Sequence, residues 1–328
     1  MPNGDSDPGM FEVVVTDRRE EALDICTFEL RRPGGHQLPP FSAGAHIDVQ
    51  IRSGMVRQYS LCNPPGDHHR YLIGVLRGPN PRGASVALHD TVHVGHRALV
   101  SEPRNRFQLS ASARRSLLLA GGIGITPILC MAEQLAQIGA DFEMHYCTRS
   151  PARTAFLDRI RRSSFSDHIH HHFDSGPEDQ RLRGDVLLAD PSPDTHLYVC
   201  GPSGFIEHVL RTAKSAGWSS DCLHREYFLA SGASLSSSDR PFDVRLARSG
   251  RVISVLPGHT IAQALAENGV YVPVSCEVGV CGTCLTRVLE GEPDHRDSFL
   301  TDAERARNDQ MTLCCSGARG PLLVLDLF

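Results

Sequence analysis

The sequence predicts a multidomain chain made of an antiparallel β-barrel, an α/β unit on a parallel sheet, and a small α+β unit of β-grasp type. From Phe11 to about Phe107, short apolar strands are separated by Gly and Pro turns, the pattern of a small barrel. From Ser116 onward, strands alternate with helical stretches, which implies a parallel sheet with crossover helices. Near the C-terminus, Cys276, Cys281, Cys284 and Cys314 fall at C-x4-C-x2-C-x29-C, between a short amphipathic helix and closing strand-like runs.

Taken in order, the barrel block covers 10–108, with strands expected at FEVVVTD, CTFEL, HIDVQI, RQYSL and YLIGVL. Ile47, Val49 and Ile51 alternate and share one face. The α/β block covers 109–229. Leu129, Ala132, Glu133 and Ala136 recur at helical spacing, and Gly139 sits where a C-terminal glycine ends that helix. Residues 230–241 have no hydrophobic periodicity and are rich in serine, so they read as a linker. The last block, 242–328, opens with FDVRLA and VISVL, continues with the helix TIAQALAENG, and closes on LLVLDLF.

With 328 residues, 41% of them hydrophobic and 22% charged, the chain has room for two or three separate cores. A formal net charge of -5, with Lys214 the only lysine, gives no basic stripe for nucleic acid. Residues 241–328 carry 11 acidic side chains against 8 arginines, a weakly acidic surface. The longest apolar run, SLLLAGGIGITPILCMA, is broken by three glycines and Pro127, so neither a membrane span nor a signal peptide is expected. Eleven cysteines without a secretion signal point to reduced thiols and metal ligands, and to a cytoplasmic address.

The four-cysteine spacing is the ligand pattern of a plant-type [2Fe-2S] ferredoxin. Gly279 and Gly282 let the loop SCEVGVCGTC curl its backbone around a cluster, and Cys314 closes the site from a distant strand. Zinc is the rival, but zinc ribbons pair two C-x2-C knuckles and the second is missing here. Cys315 is expected as a buried neighbour, because x29 fits the ferredoxin spacing and x30 does not. Cys26, Cys62, Cys130, Cys147 and Cys222 are expected as small buried hydrophobes.

Arg57, Gln58, Tyr59 and Ser60 end a barrel strand with a cation, an aromatic plane and a hydroxyl, the groups a flavin mononucleotide needs; as four residues alone they equally fit a surface strand. Alternation puts Arg57 and Tyr59 on one side and Ser60 on the other. In PRGAS, Gly83, Ala84 and Ser85 precede a helical run whose first amides suit a phosphate. Gly121 to Pro127, GGIGITP, and Cys200 to Gly204, CGPSG, each follow a strand and open a helix. Two such turns at strand ends suit the crevice where a dinucleotide approaches a parallel sheet. Pro127 stands where the usual third glycine would be. Alternation would also put His168, His170 and His172 on one strand face; with only Asp167 and Asp174 close in sequence, a surface or nucleotide-adjacent strand is expected rather than a metal site.

The order of RQYS, GGIGITP, CGPSG and the cysteine motif, from Phe11 to the end, resembles the phthalate dioxygenase reductase family, the class IA reductases of Rieske oxygenases. LCN after RQYS and the run HREYF look especially like its vanillate O-demethylase reductase branch. The resemblance implies FMN on Arg57, Gln58, Tyr59 and Ser60, with Val75, Leu76 and Arg77 along its edge, Gly83, Ala84 and Ser85 at its phosphate, and Phe228 covering it. It places NADH on Gly122, Ile123, Gly124, Thr126, Pro127, Thr148, Arg149, Gly201 and Pro202, with Cys200 near the nicotinamide and Asp174 at the adenosine ribose, favouring NADH over NADPH. Ser60, Cys200 and Phe228 would be the catalytic residues. Cys315 and Gly317 depart from the family pattern, where valine and arginine are usual.

NADH gives two electrons as a hydride, a [2Fe-2S] cluster accepts one, and a flavin converts between them. No Rieske C-x-H…C-x2-H motif or mononuclear iron triad appears in the chain, so the oxygen chemistry is expected on a separate Rieske-type oxygenase, with neither nucleic acid nor membrane as a partner. The alternatives are the same reductase serving a soluble ferredoxin or a haem monooxygenase, and a redox-silent four-cysteine zinc protein.

Overall fold

The computed structural model describes residues 9–52, 55–78, 84–228, 240–274, 279, 282–297 and 299–328. The chain divides between Phe228 and Leu229 into two compact units. The expected linker at 230–241 falls almost wholly outside the described residues.

The first unit begins with strands β1 (Met10–Ala22), β2 (Ile25–Arg31), β3 (Ala45–Arg52), β4 (Met55–Ser60) and β5 (Tyr71–Leu76), helix α1 (Ala84–Thr91), and strands β6 (Arg97–Ser101) and β7 (Arg104–Asn105). The strands form an antiparallel sheet in the order β4-β3-β6-β1-β2-β5, with β7 on β3. A bridge between Leu61 and Ile73 joins the two outer strands. Alternation decides what enters the barrel: Val13, Val15, Phe28, Leu30, Ile47, Val49, Tyr71 and Ile73 are buried together. The side chain of Ile51 lies outside the described residues. Asn63, fully buried, donates to the Arg70 carbonyl at 2.9 Å and accepts from Leu72 N–H at 2.9 Å, so the asparagine of LCN locks the β4–β5 connection.

The same unit continues with β8 (Arg115–Gly121), α2 (Ile125–Gln137), β9 (Asp141–Thr148), α3 (Leu157–Arg161), β10 (Ile169–Phe173), α4 (Gly184–Leu187), β11 (Thr195–Gly201), α5 (Ser203–Ser215) and β12 (Leu223–Tyr227). All five strands are parallel, in the order β10-β9-β8-β11-β12. The chain therefore winds one way from β8 to β10 and the other way from β11, leaving a switch point between β8 and β11. One face of the sheet packs Met144, Tyr146 and Tyr198 against Ile125, Ile128, Leu129 and Leu135 of α2. The other packs Leu117, Leu119, Leu197 and Val199 against Ile206, Val209 and Ala213 of α5. Of the stripe expected from the sequence, Leu129 and Ala132 are buried and Glu133 and Ala136 half-buried, and Gly139 follows at φ +66. The second helical run shortens to the five residues of α3.

The second unit holds β13 (Phe242–Leu246), β14 (Val252–Val255), α6 (Ile261–Glu267), β15 (Leu285–Glu290), β16 (Pro293–Asp294), α7 (Asp302–Arg307), β17 (Gln310–Thr312), β18 (Gly317–Ala318) and β19 (Leu322–Leu325). Its sheet runs β14-β13-β19-β15-β17, with β13 parallel to β19 and the remaining pairs antiparallel. Ile261, Ala264 and Leu265 of α6 close its core with Val244, Leu246, Met311 and Leu323. Thr260 caps α6 in a reciprocal box with Gln263, and Gly269 follows at φ +76. This is the mixed sheet-and-helix arrangement expected of the last block.

Candidate active site

Both glycine turns sit at the carboxyl edge of the parallel sheet, at the ends of β8 and β11, and they pack on each other. A Cβ on Gly124 would overlap the Cys200 carbonyl, and one on Gly201 would lie 2.9 Å from the Gly121 Cα. Only glycine allows that approach. Gly122 has φ +52 with open space beside it, and α5 starts after Pro202 without a side-chain cap, so its first amides are free of competing side chains. At the neighbouring strand ends, Asp174 N–H donates to the Thr148 carbonyl and Ser175 N–H to that of Arg149, both at 3.0 Å. The exposed side chains of Arg149 and Asp174 thus come to the same edge.

Other expected nucleotide residues turn inward. The Thr126 hydroxyl donates to the Ile123 carbonyl at 3.1 Å and is 1% exposed. Pro127 is buried in the first turn of α2, which begins at Ile125. Thr148 shares a 2.8 Å hydrogen bond with Thr154. These side chains shape the turns from within, leaving Gly122, Ile123, Gly124, Gly201 and Pro202 to form the edge itself.

On the barrel side, β4 pairs with β3 so that Arg57 faces Val49, Tyr59 faces Ile47, Gln58 faces Asp48 and Ser60 faces His46. Arg57 and Tyr59 therefore share the face of the barrel core, against which Tyr59 packs, while Gln58 and Ser60 point the other way. Val75 turns into the barrel core, so of 75–77 only Leu76 and Arg77 present side chains outward. Arg77 is held by both carboxylate oxygens of Asp90, at 2.6 and 3.1 Å. Ala84 opens α1 and is buried, and the Ser85 hydroxyl accepts from Gly78 N–H at 3.0 Å; Gly83 lies outside the described residues. Phe228, half-buried, packs against the core that contains Ile125 and Cys200.

Glu226 on β12 is the residue the sequence reading did not single out. It stands beside Cys200 in the β11–β12 register, and the buried Ser60 hydroxyl donates to its Oε2 at 3.3 Å. His46 Nδ1 lies 4.0 Å from Oε1. Burial pushes the Glu226 carboxyl up to about 8, only partly offset by Ser60, so it is protonated at neutral pH. Burial, helped by Arg104 and Arg106, brings His46 down to about 4 and leaves it neutral. Burial also raises the fully buried Cys200 thiol well above its ordinary range, with Glu226 adding to the effect. A neutral carboxyl, a hydroxyl and a thiol thus converge where the sheet edge meets the barrel strand. The available signal was a glutamate inside a strand-like run, HREYF, directly after the second glycine turn's helix.

In the second unit, Cys276 and Cys281 lie outside the described residues. Cys284 and Cys314 are 3% and 4% exposed, and register joins them: Leu285 pairs with Thr312, and Leu313 N–H donates to the Cys284 carbonyl at 3.3 Å. Cys315 is buried, its sulfur 3.2 Å from the Thr312 hydroxyl. Gly279 and Gly282 have φ +75 and +72, and a Cβ on either would overlap the Cys315 sulfur or the Phe299 ring. At these two glycines the backbone packs closely on its neighbours, as a chain wrapped around a cluster requires, so the residues present fit the group. Cys26, Cys62, Cys130, Cys147 and Cys222 are buried as small hydrophobes.

The histidine tract divides differently from the expected alternation. His168 precedes β10 and stacks on Phe142, centroids 5.1 Å apart, with Nδ1 2.9 Å from the Phe142 carbonyl. His170 and His172 face the opposite side of the sheet, beside His145 of β9.

Residues 244–319 match the model of the 2Fe-2S iron-sulfur cluster binding domain. The chain is 54% identical over 318 residues to a vanillate O-demethylase oxidoreductase of Pseudomonas sp. (strain HR199 / DSM 7063), a match spanning 97% of this chain and 100% of that one. Among solved structures, phthalate dioxygenase reductase superposes with a TM-score of 0.81 at 38% identity, covering 97% of this chain and 98% of that chain. An intact type IV self-sufficient cytochrome P450 monooxygenase superposes with a TM-score of 0.76 at 39% identity, covering 97% of this chain but 41% of that one. In the described residues no helix is long and apolar enough to cross a membrane. With end-to-end likeness added to the shared order of barrel, parallel sheet and cysteine loop, this chain belongs to the phthalate dioxygenase reductase family and is an oxidoreductase ending in a plant-type [2Fe-2S] domain.

Proposed function

We propose that the chain takes a hydride from NADH at the carboxyl edge of the parallel sheet, on to FMN at β4, and hands electrons singly through its [2Fe-2S] cluster to a separate Rieske-type oxygenase or O-demethylase. The observation that carries this reading is the convergence of Cys200, Glu226 and Ser60 between the two glycine turns and the RQYS strand. Bound FMN supplies the change from two-electron to one-electron transfer, and the cluster supplies the one-electron outlet.

The chain's own residues bind, orient and hold protons. Arg57, with backbone amides near Ser85, would hold the flavin phosphate, and Tyr59 and Phe228 would hold the ring. Ser60 would offer a hydrogen bond to a bound flavin ring, and Glu226 keeps a proton at Oε1 or Oε2 in reach of that hydroxyl. Cys200, Gly201 and Gly124 form a smooth apolar wall against the nicotinamide. The α5 amides take the pyrophosphate, and Asp174 accepts the ribose hydroxyls while repelling a 2'-phosphate. Cys276, Cys281, Cys284 and Cys314 hold the iron, with Cys315 as packing.

The relative's name, vanillate O-demethylase oxidoreductase, supports an aryl-ether O-demethylase as the acceptor. A second reading, a haem monooxygenase as acceptor, is favoured by the cytochrome P450 whose chain contains a similar module. The seven described cysteines other than Cys284 and Cys314 are thiols outside any disulfide, which supports operation in the reducing cytoplasm. Anaerobic titration with NADH, followed by visible and low-temperature EPR spectra, tests the reading. Uptake of about three electrons per chain is expected, two by flavin and one by the cluster. Flavin bleaching without a cluster signal, with no iron found on metal analysis, overturns it.

A further inference from the structure

The histidines that the nucleotide and cluster chemistry leave unused form a compact group. Glu143 and His145 are two apart on β9, and His170 pairs with His145 across to the edge strand β10, so their side chains share one sheet face. His145 Nε2 and His170 Nε2 each lie 3.1 Å from the same oxygen, Glu143 Oε1. Among the described residues these three are the group whose ligand atoms all fall within 4.8 Å of one another. We propose that Glu143, His145 and His170 form a zinc site, oriented by His172, on the outer edge of the nucleotide-binding sheet.

The distances fit an ion in tetrahedral coordination. With zinc-to-nitrogen and zinc-to-oxygen bonds of about 2.0–2.1 Å, neighbouring ligand atoms stand about 3.3 Å apart, close to the 3.1 Å between each imidazole nitrogen and Glu143 Oε1. Two imidazoles and one carboxylate form a nitrogen-rich set that suits zinc, whereas calcium and magnesium prefer oxygen. Glu143 Oε2 is held by Arg115 at 2.7 Å, which fixes the carboxylate and leaves Oε1 to act alone. A metal on His145 Nε2 puts that ring's proton on Nδ1, which lies 2.9 Å from His172 Nε2. This is the outer hydrogen bond that orients metal-bound histidines. The His145 side chain is 8% exposed and that of His170 50%, so the ion has an anchored wall on one side and an entry path on the other. Water completes the coordination.

The ion would tie β10 to β9, whose ends carry Asp174 and Arg149. The test uses the holoprotein, so that the cluster occupies its four cysteines. It is stripped with a chelator and titrated with zinc chloride by calorimetry at pH 7.5, with thermal unfolding in parallel. One zinc per chain beyond the cluster iron is expected, with a raised unfolding temperature. His170→Asn and Glu143→Gln should each weaken binding at least about tenfold while NADH–ferricyanide activity stays unchanged. The visible spectra of both variants report that they are folded; His170 is half-exposed on an edge strand and tolerates change. Zinc binding that is equally tight in both variants places the ion on other groups and overturns the proposal. Binding only at millimolar zinc overturns it as well.

Discussion

The cysteine motif proposed to hold the cluster has three of its four sulfurs within nine consecutive positions, whereas the crevice in the first unit draws His46, Ser60, Cys200 and Glu226 from four separate strands. In the loop, covalent connection does most of the positioning, and glycine lets the backbone come close. In the crevice, strand register does it: Cys200 stands beside Glu226 only because β11 and β12 pair in parallel at that offset. A ligand set held by chain connectivity either binds its metal or does not. A set held by register changes its chemistry by degrees.

Replacing Cys284 or Cys314 by serine should therefore give the largest effect: cluster EPR and bound sulfide vanish and cytochrome c reduction falls to background, while NADH–ferricyanide turnover persists through the first unit. Cys315→Ser should retain the cluster, and iron analysis of the three variants separates ligand from neighbour. If Cys315→Ser loses iron and Cys314→Ser keeps it, the ligand assignment moves by one residue.

The crevice should respond more gradually. Glu226→Gln should keep its flavin but slow reduction by NADH about a hundredfold, the low end of general acid–base contributions, as read by stopped-flow absorbance. Because burial raises this carboxyl from 4.5 to about 8 in the folded protein, the folded state holds a proton that the unfolded state has lost. The stabilisation from its neutral form is complete below pH 4.5 and is lost as pH rises through about 8. Thermal unfolding of the Gln variant should accordingly be flatter between those limits. An unchanged reduction rate would leave Glu226 a packing residue.

Smaller again is the expected effect of Asp174→Ala, which removes one charge at the sheet edge. Preference for NADH over NADPH should fall about tenfold in kcat/KM, the size of one charged hydrogen bond. The smallest effect belongs to the second unit's scaffold: Thr260→Ala removes the capping hydroxyl of α6 and should cost about 1 kcal/mol in denaturant unfolding, with the visible spectrum of the cluster unchanged. A spectral change there would show that the helix reaches the cluster loop.

Barrel strands, the α2 stripe, the two glycine turns and the cysteine spacing were legible because each is a local pattern with a fixed period or offset. The histidine tract shows the limit. Read along the chain, His168, His170 and His172 alternate and lack a nearby ligand partner. In the fold, His168 leaves for Phe142, and Glu143 with His145 arrives from β9 on the adjacent strand. Thr126 was legible as a residue of a glycine turn, and Thr148 came only from the family resemblance; neither was legible as inward-facing, because a hydroxyl's direction depends on which carbonyl or hydroxyl the folded chain offers it.

Residue order alone determined that this chain has a barrel, a parallel sheet and a four-cysteine domain in succession, since periodicity, turn glycines and ligand spacing act within a few residues. Tertiary structure decided that Glu226 is a half-buried acid with its pKa pushed up beside Ser60 and Cys200, and that Glu143, His145 and His170 gather on one sheet face. Both depend on which strands lie side by side and on how far burial strips water from a charge, and neither is a property of any single segment.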